Sequence, residues 1–377
     1  MNTTLLHVWH EAAGARFAPF AGFDMPIQYP TGAVAEHRLC RRSVGLFDID
    51  HMGQVIISGE GASQALSSLV SNRILDMKPN ASRYSLLLND RGGIIDDIFI
   101  YRSAYSENDD KDDAWFVVVN AGNRETDIAH FRENLPEEVS VEDVSDVTYM
   151  IAAQGPRAVE LIDLLSNGAV SAIPRGSMAV ATVAGVPVVY GRTGYTGEDG
   201  VELFYDPMES LELWELLISG AREAEIEVGP VGLAARDSLR FEAGMPLHGH
   251  EIAPTITPLE ARLSWACDFQ KEFKGKAALL SQKAAGLSRI LVTLNVTGGV
   301  PREGYPVLSE SGEEIGRCVA GMFCPTVGTY SANAFVPPAY SAPDTKLAVL
   351  IRGVPKEAVV VKRPLYTPAY RQPPAVS

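Results

Sequence analysis

The stretch Asn89-Asp90-Arg91-Gly92-Gly93-Ile94-Ile95-Asp96-Asp97-Ile98-Phe99-Ile100-Tyr101 runs from a strong turn signal into an apolar strand that carries two adjacent carboxylates. The segment before it, Ser82 to Leu88, reads as a strand, so the two predict an antiparallel hairpin. Strand alternation sends Asp97, Phe99 and Tyr101 to one face and Asp96, Ile98 and Ile100 to the other. A carboxylate inside such a strand is costly unless it meets water, a cation or hydrogen-bond donors. Two readings follow: both acids bind backbone amides at a strand start, or one lies in a cleft with Tyr101 as a flat, hydrogen-bonding wall.

Outward from the hairpin the pattern stays mixed. Gln54 to Gly59 predicts a strand, Ala62 to Val70 a helix, Trp115 to Asn120 a strand and Arg124 to Asn134 a helix. Asn108 to Asp113 reads as an acidic loop. Further helices are predicted at Leu211–Glu225 and Ala234–Ala243. Beyond about Lys276, strand-like pieces such as Ser288–Val296 and Leu347–Ile351 alternate with Gly- and Pro-rich turns, which predicts a separate C-terminal β-domain. Antiparallel hairpins with interspersed helices define an α+β fold rather than a doubly wound sheet. The Pro-rich end, from Thr367, is expected to be partly disordered or to fold back onto the body.

The 377 residues exceed what one core usually serves, so two or three domains are expected. Hydrophobic residues at 46% and charged residues at 21% are the balance of a globular protein. With 47 acidic against 32 basic residues and a formal charge of −15, nucleic acid is not an expected partner. The N-terminal Met1-Asn2-Thr3-Thr4-Leu5-Leu6-His7 lacks the features of a signal peptide, and no apolar run is long enough to cross a bilayer. No membrane association and a cytoplasmic location are therefore expected. Cys40, Cys267, Cys318 and Cys324 are too scattered for a disulfide framework or a zinc site.

Two other segments carry possible chemistry. In Gly191-Arg192-Thr193-Gly194-Tyr195-Thr196-Gly197-Glu198-Asp199-Gly200-Val201-Glu202, glycine recurs at every third position. Such glycines permit either a close approach to a ligand or a plain tight hairpin, and Glu202 stands at the start of the following strand. In Gly232-Leu233-Ala234-Ala235-Arg236-Asp237-Ser238-Leu239-Arg240-Phe241-Glu242, Arg236 and Arg240 share a helical face, with Asp237 and Glu242 available as partners. They read as an ion-paired surface helix or as arginines for a planar, bidentate partner. His51 reads as a hydrogen-bonded structural histidine. His248 and His250 lack a third ligand at a diagnostic spacing, so no metal is expected. No GxSxG, GxxxxGK[ST] or HExxH motif is present.

Taken in order, Phe20-Ala21-Gly22-Phe23-Asp24-Met25-Pro26, Phe47-Asp48-Ile49-Asp50-His51-Met52-Gly53, Gly92 to Asp97, Ala153-Gln154-Gly155-Pro156, Thr193 to Gly200, Gly232 to Asp237, Thr257-Pro258-Leu259-Glu260 and Ser264-Trp265 resemble the aminomethyltransferase (T protein) family of the glycine cleavage system. The resemblance implies a three-domain cloverleaf of mixed and antiparallel sheets with helices, ending in a β-barrel-like domain. Residues 1–275 would form the folate-binding catalytic region as two interleaved α+β domains, the inserted one spanning about 54–140, and residues 276–377 the barrel. It implies transfer of a one-carbon unit from the aminomethylated lipoyl arm of H protein to tetrahydrofolate, giving 5,10-methylenetetrahydrofolate and ammonia. Tetrahydrofolate is then a co-substrate, with no metal and no flavin, and a monomer is expected.

Carried over by motif, Asp97 is the catalytic acid. Tyr84, Tyr101, Asn120 and Tyr195 would line the pterin and its linker, Glu202 and Arg236 would contact the folate, and Tyr370 or Arg371 would be the C-terminal contribution. The chain departs from the family pattern at Asp50, where Ser is usual, at Phe23, where Trp is usual, and at Ala320-Gly321-Met322-Phe323-Cys324-Pro325. A demethylase using a small methyl donor is the alternative on the same fold. An iron–sulfur assembly protein would carry a cysteine motif where this chain reads Phe273-Lys274-Gly275-Lys276-Ala277-Ala278. A basic patch of Arg38, Arg41 and Arg42 is a candidate docking surface for the acidic carrier.

Overall fold

The computed structural model describes residues 1–103 and 114–371, so the acidic loop Asn108–Asp113 and the last six residues lie outside the described residues. The hairpin forms as its sequence predicts: Ser82–Leu88 pairs antiparallel with Ile94–Arg102, with Leu86 opposite Asp97 and Tyr84 opposite Phe99. Asn89 makes the turn, its side-chain oxygen accepting from the N–H groups of Arg91 and Gly93. A side chain at Gly93 would overlap the Pro254 carbonyl at 1.9 Å, so glycine there lets the turn lie against a distant segment. The register slips by one residue between Leu87 and Leu88. Such a bulge re-aims the neighbouring side chains, here just before Asp96 and Asp97.

This hairpin is one edge of an antiparallel five-stranded sheet that continues through Ala114–Val119, Gly53–Ser58 and Ser140–Asp143. Its Ile98 and Ile100 face joins Leu66, Trp115, Val117 and Phe131 in a core covered by the helices Ala62–Leu69 and Arg124–Asn134. Its opposite face, with Phe99, Tyr101 and Phe116, packs onto Phe47, Met150 and Phe204 of a second sheet and Leu239 of a helix. That second sheet has the order Met178–Val183, Val186–Gly191, Gly200–Tyr205, Tyr149–Gln154, Val44–Asp48, Val228–Pro230, and only its last pair is parallel. The alternation read from the sequence therefore separates a helix-covered face, holding Asp96, from an inter-sheet face, holding Asp97.

The C-terminal strands close into a six-stranded barrel, with Val354–Val361 pairing back onto Ile290–Val296. Its interior is filled by Val292, Leu294, Val307, Ala334, Val349 and Val360. Closure leaves no sheet edge exposed for pairing with another chain. The architecture is thus the α+β fold with mixed and antiparallel sheets and a terminal barrel. Among the described residues, no helix is long and apolar enough to cross a membrane. All four cysteines are free and buried.

Candidate active site

Asp97 sits partly buried on the inter-sheet face, and its two carboxyl oxygens have separate donors. Tyr84 Oη donates to Oδ2 at 3.0 Å and Asn120 Nδ2 to Oδ1 at 2.7 Å. Asn120 directly follows the neighbouring strand Ala114–Val119, which places its amide across both acids: Nδ2 is also 2.9 Å from Asp96 Oδ1, and the backbone N–H is 2.9 Å from Asp96 Oδ2. Asn123 Nδ2 adds a bond to Asp96 Oδ1 at 2.7 Å. Asp96 is fully buried yet satisfied, as a buried carboxylate must be. Burial and the charge of Asp96 push the Asp97 carboxyl up to about 7, against the lowering effect of the Tyr84 and Asn120 hydrogen bonds. A carboxyl poised there exchanges a proton at neutral pH.

Tyr84 is stacked on Trp265, centroids 5.2 Å apart and planes 24° apart, and Trp265 is largely exposed. The pair makes an aromatic wall beside the carboxylate.

A second acidic centre lies on the facing sheet. Glu202 opposes Gly191 in the strand register, and Thr193 donates to its carboxylate. Tyr101 is fully buried, its hydroxyl 2.7 Å from that of Thr193, forming a Tyr101–Thr193–Glu202 chain across the sheet interface. Burial raises the Glu202 pKa, while the Thr193 bond and the Arg236 charge oppose the rise.

The triplet-spaced glycines serve this packing. A Cβ at Gly191 would lie 2.7 Å from the Tyr101 hydroxyl, and one at Gly194 would lie 1.9 Å from Gln154 Oε1. The close approach that the spacing encodes is to the protein's own side chains, along an eight-residue loop rather than a tight hairpin.

The helix Leu233–Glu242 is not an ion-paired surface helix. Arg240 is buried and bonded to Asp237 and to the buried Glu251 at 2.9 Å. Glu242 instead meets His37 at 3.2 Å and Arg41 at 3.4 Å. Arg236 forms no ion pair among the described residues. Its guanidinium lies 5.0 Å from the centroid of Tyr195, whose hydroxyl donates to the Pro246 carbonyl. Both line a groove of about 410 Å³ with Phe20, Ile27, Met322 and Phe323. A partly buried cation without an anion is suited to an incoming acceptor group.

His51 departs from the sequence expectation. It is buried, neither ring nitrogen has a hydrogen-bond partner among the described residues, and its ring meets Phe20 edge-on at 5.4 Å. Burial and the Arg236 charge push its pKa down to about 3, so the imidazole is neutral. Asp50 is pushed up to about 8 by burial and by Asp48.

Tyr370 donates to the Gly197 carbonyl at 3.0 Å and lies under Arg175, which ties the C-terminal segment to the loop carrying Tyr195. Arg371 is exposed. No hydrogen bond or ion pair among the described residues joins either to Asp97, Asn120 or Glu202. The basic patch is largely neutralised: Arg41 is paired with Glu198 and Glu242 and Arg42 with Glu227, which leaves Arg38 exposed. Sequence reasoning missed Thr193, Asn123 and Asp127. Thr193 and Asn123 have visible signals, a hydroxyl between glycines and an Asn three residues after Asn120. Among the described residues, no group of three or more His, Cys, Asp or Glu side chains could hold a metal ion.

Two successive segments of the chain match two domain families: residues 6–271 match the family described as GCVT N-terminal domain, and residues 289–367 the glycine cleavage T-protein C-terminal barrel domain. The fold and the paired domains thus define a one-carbon group transferase. An aminomethyltransferase of Herpetosiphon aurantiacus is 40% identical over 375 residues, covering 99% of this chain and 100% of that protein. One of Desulforamulus reducens is 37% identical over 369 residues, covering 97% and 98%. The crystal structure of glycine cleavage system aminomethyltransferase T from Bartonella henselae superposes with a TM-score of 0.86 at 33% identity, covering 97% of this chain and 98% of that one. The chain belongs to the glycine cleavage T-protein family of aminomethyltransferases.

Proposed function

We propose that this enzyme moves a one-carbon unit from the aminomethylated lipoyl arm of a carrier H protein to tetrahydrofolate, releasing ammonia and forming 5,10-methylenetetrahydrofolate. In that reaction the carbon loses its bonds to nitrogen and sulfur and gains two bonds to folate nitrogens. The two N–H protons lost by the folate leave on ammonia and on the freed thiol.

The observation that carries the reading is the Asp97 carboxyl, aimed by Tyr84 and Asn120 and poised to titrate near 7. Its ionised form stabilises the carbon as positive charge develops there, and it accepts a proton from the attacking amine. Tyr84, Asn120 and Tyr195 would line the pterin and its linker, with Tyr101 acting through Thr193 to hold Glu202. Glu202 is an acceptor for ring N–H groups. Arg236, which has no ion partner among the described residues and lines the groove, is the kind of cation that an anionic co-substrate would satisfy. Tyr370 and Arg371 would close the site from the C-terminal side.

The test is incubation with tetrahydrofolate and aminomethylated H protein, scoring ammonia and methylenetetrahydrofolate. Failure to form either, with consumption of a small methyl donor instead, would replace the carrier-dependent reading with a demethylase.

A further inference from the structure

Behind the dyad lies a third carboxyl. Asp127, in the first turn of the helix Arg124–Asn134, is fully buried on the helix-covered face of the sheet that holds Asp96. Neither of its oxygens accepts a hydrogen bond from any described N–H or O–H group. Asn123, which caps the start of the same helix, donates to Asp96 at 2.7 Å and so seats this helix end against that carboxyl. After burial, the charge of Asp96 is the largest influence raising the Asp127 pKa.

The surrounding charges give it no cation. Arg124 of its own helix is engaged by Asp143 and Asp146, and His130 faces Asn134. From the packed strand, Asp96 and Asp97 are the titratable groups that act on it. An ionised carboxylate there would be buried without a donor and beside two other acids, which is untenable. A neutral acid removes the charge and leaves an O–H with an available acceptor, because Asp96 takes three N–H bonds and can accept a fourth from an O–H group.

We propose that Asp127 is a positioning residue: a neutral carboxylic acid whose O–H donates to Asp96, fixing through the shared Asn120 amide the orientation and proton affinity of Asp97. This rests on the assignment of Asp97 as the catalytic carboxylate. The same Nδ2 that binds Asp96 binds Asp97, so a shift of Asp96 moves the donor that holds Asp97. The direction of coupling follows. A donor on Asp96 eases its negative charge, and that charge is what pushes the Asp97 carboxyl upward after burial itself.

Two variants separate this role from bulk packing. Asp127→Asn keeps the shape and supplies an N–H donor in place of the O–H. It is expected to retain turnover within about threefold and to leave the acid limb of the kcat–pH profile in place. Asp127→Ala removes the donor. It is expected to lower kcat about tenfold or more with the KM for tetrahydrofolate unchanged, and to move the acid limb upward by about one pH unit. A downward shift of the limb in Asp127→Asn would mean that a negative charge had been removed, and would overturn the proposal. So would an unchanged profile in Asp127→Ala.

An infrared arm needs no turnover and guards against an Asp127→Ala variant that does not fold. The wild-type minus Asp127→Asn difference spectrum is recorded above the pH at which Asp97 and Asp50 titrate, about 7 and about 8. It should hold the C=O stretch of a protonated carboxylic acid, and its absence overturns the neutral assignment. Wild-type protein without aminomethyl transfer would sink the functional reading, while the infrared result still decides the state of Asp127.

Discussion

Tyr84 donates its hydroxyl to Asp97 across 3.0 Å, although its cross-strand partner is Phe99. The contact is diagonal, reached because a tyrosine side chain spans the offset between residues on one face of an antiparallel pair. It is a donor to the charged form, so it lowers the proton affinity that burial and Asp96 raise. Tyr84→Phe is therefore expected to keep the aromatic wall on Trp265 while raising the Asp97 pKa by about one to two units. The check is the kcat–pH profile, whose acid limb should move up. An unmoved limb would detach Tyr84 from the chemistry.

Asp97→Asn removes the charge and keeps the shape. Tetrahydrofolate binding, measured by calorimetry, should change little, while turnover falls by about two to four orders of magnitude. Retention of most activity would sink the assignment of Asp97.

Arg236→Gln removes an unpaired cation from the groove wall. The expectation is weaker folate binding, with KM raised about tenfold or more and kcat less affected, because the arginine binds equally in ground and transition states. A fall in kcat at constant KM would instead place Arg236 on the reacting atoms.

The pH dependence of stability follows from the sign of each shift. Asp97, Asp50 and Asp127 all have folded-state values raised above the unfolded ones, first by burial. Each contributes stability that is fully present below its unfolded pKa and is lost as pH rises toward its folded value, about 7, about 8 and about 11. Asp48 and Glu251 are shifted the other way. Burial opposes the shift, but hydrogen bonds from His10 and Thr4 lower Asp48, and the Arg240 charge with the Asn333 bond lowers Glu251. Their contributions are lost as pH falls below about 4. Melting temperature should therefore peak at acidic pH, about 4, and decline toward neutral and alkaline pH. A monotonic rise from acidic to alkaline pH in a calorimetric series would contradict this balance.

Arg240 and Glu251 form a fully buried pair, and Glu251 also accepts from Asn333 of the barrel. Removing one partner strands the other charge. Arg240→Met is expected to cost about 3–5 kcal/mol, read as a lower urea midpoint. The double variant Arg240→Met with Glu251→Leu should recover much of the loss, since an apolar pair leaves no unpaired charge.

Much of this was legible in the chain. The hairpin, its turn and the alternation that separates Asp96 from Asp97 follow from local rules, because a strand's side chains must alternate and Asn-Asp-Arg-Gly-Gly cannot continue one. The helix at Arg124–Asn134 and the strand at Ser82–Leu88 emerge with the same bounds. The order of the motifs pointed to the family, and the domain matches agree.

Other features depended on which segments meet. Nothing local distinguishes Arg236, left without an ion partner among the described residues, from Arg240, sealed against Glu251 eleven residues on. The glycines of the Gly191–Gly200 loop read as suited either to a ligand or to a tight hairpin, but their spacing makes room for Tyr101 and Gln154 from other strands. Asp127 read as an ordinary acid in the first turn of a helix, and only packing of that helix under the sheet placed it beside Asp96 without a cation. The sequence by itself determined the strand faces and the acid pair, since those rest on backbone geometry. Tertiary structure decided which charges are solvated, paired or forced to stay neutral, because that depends on desolvation by segments distant in the chain.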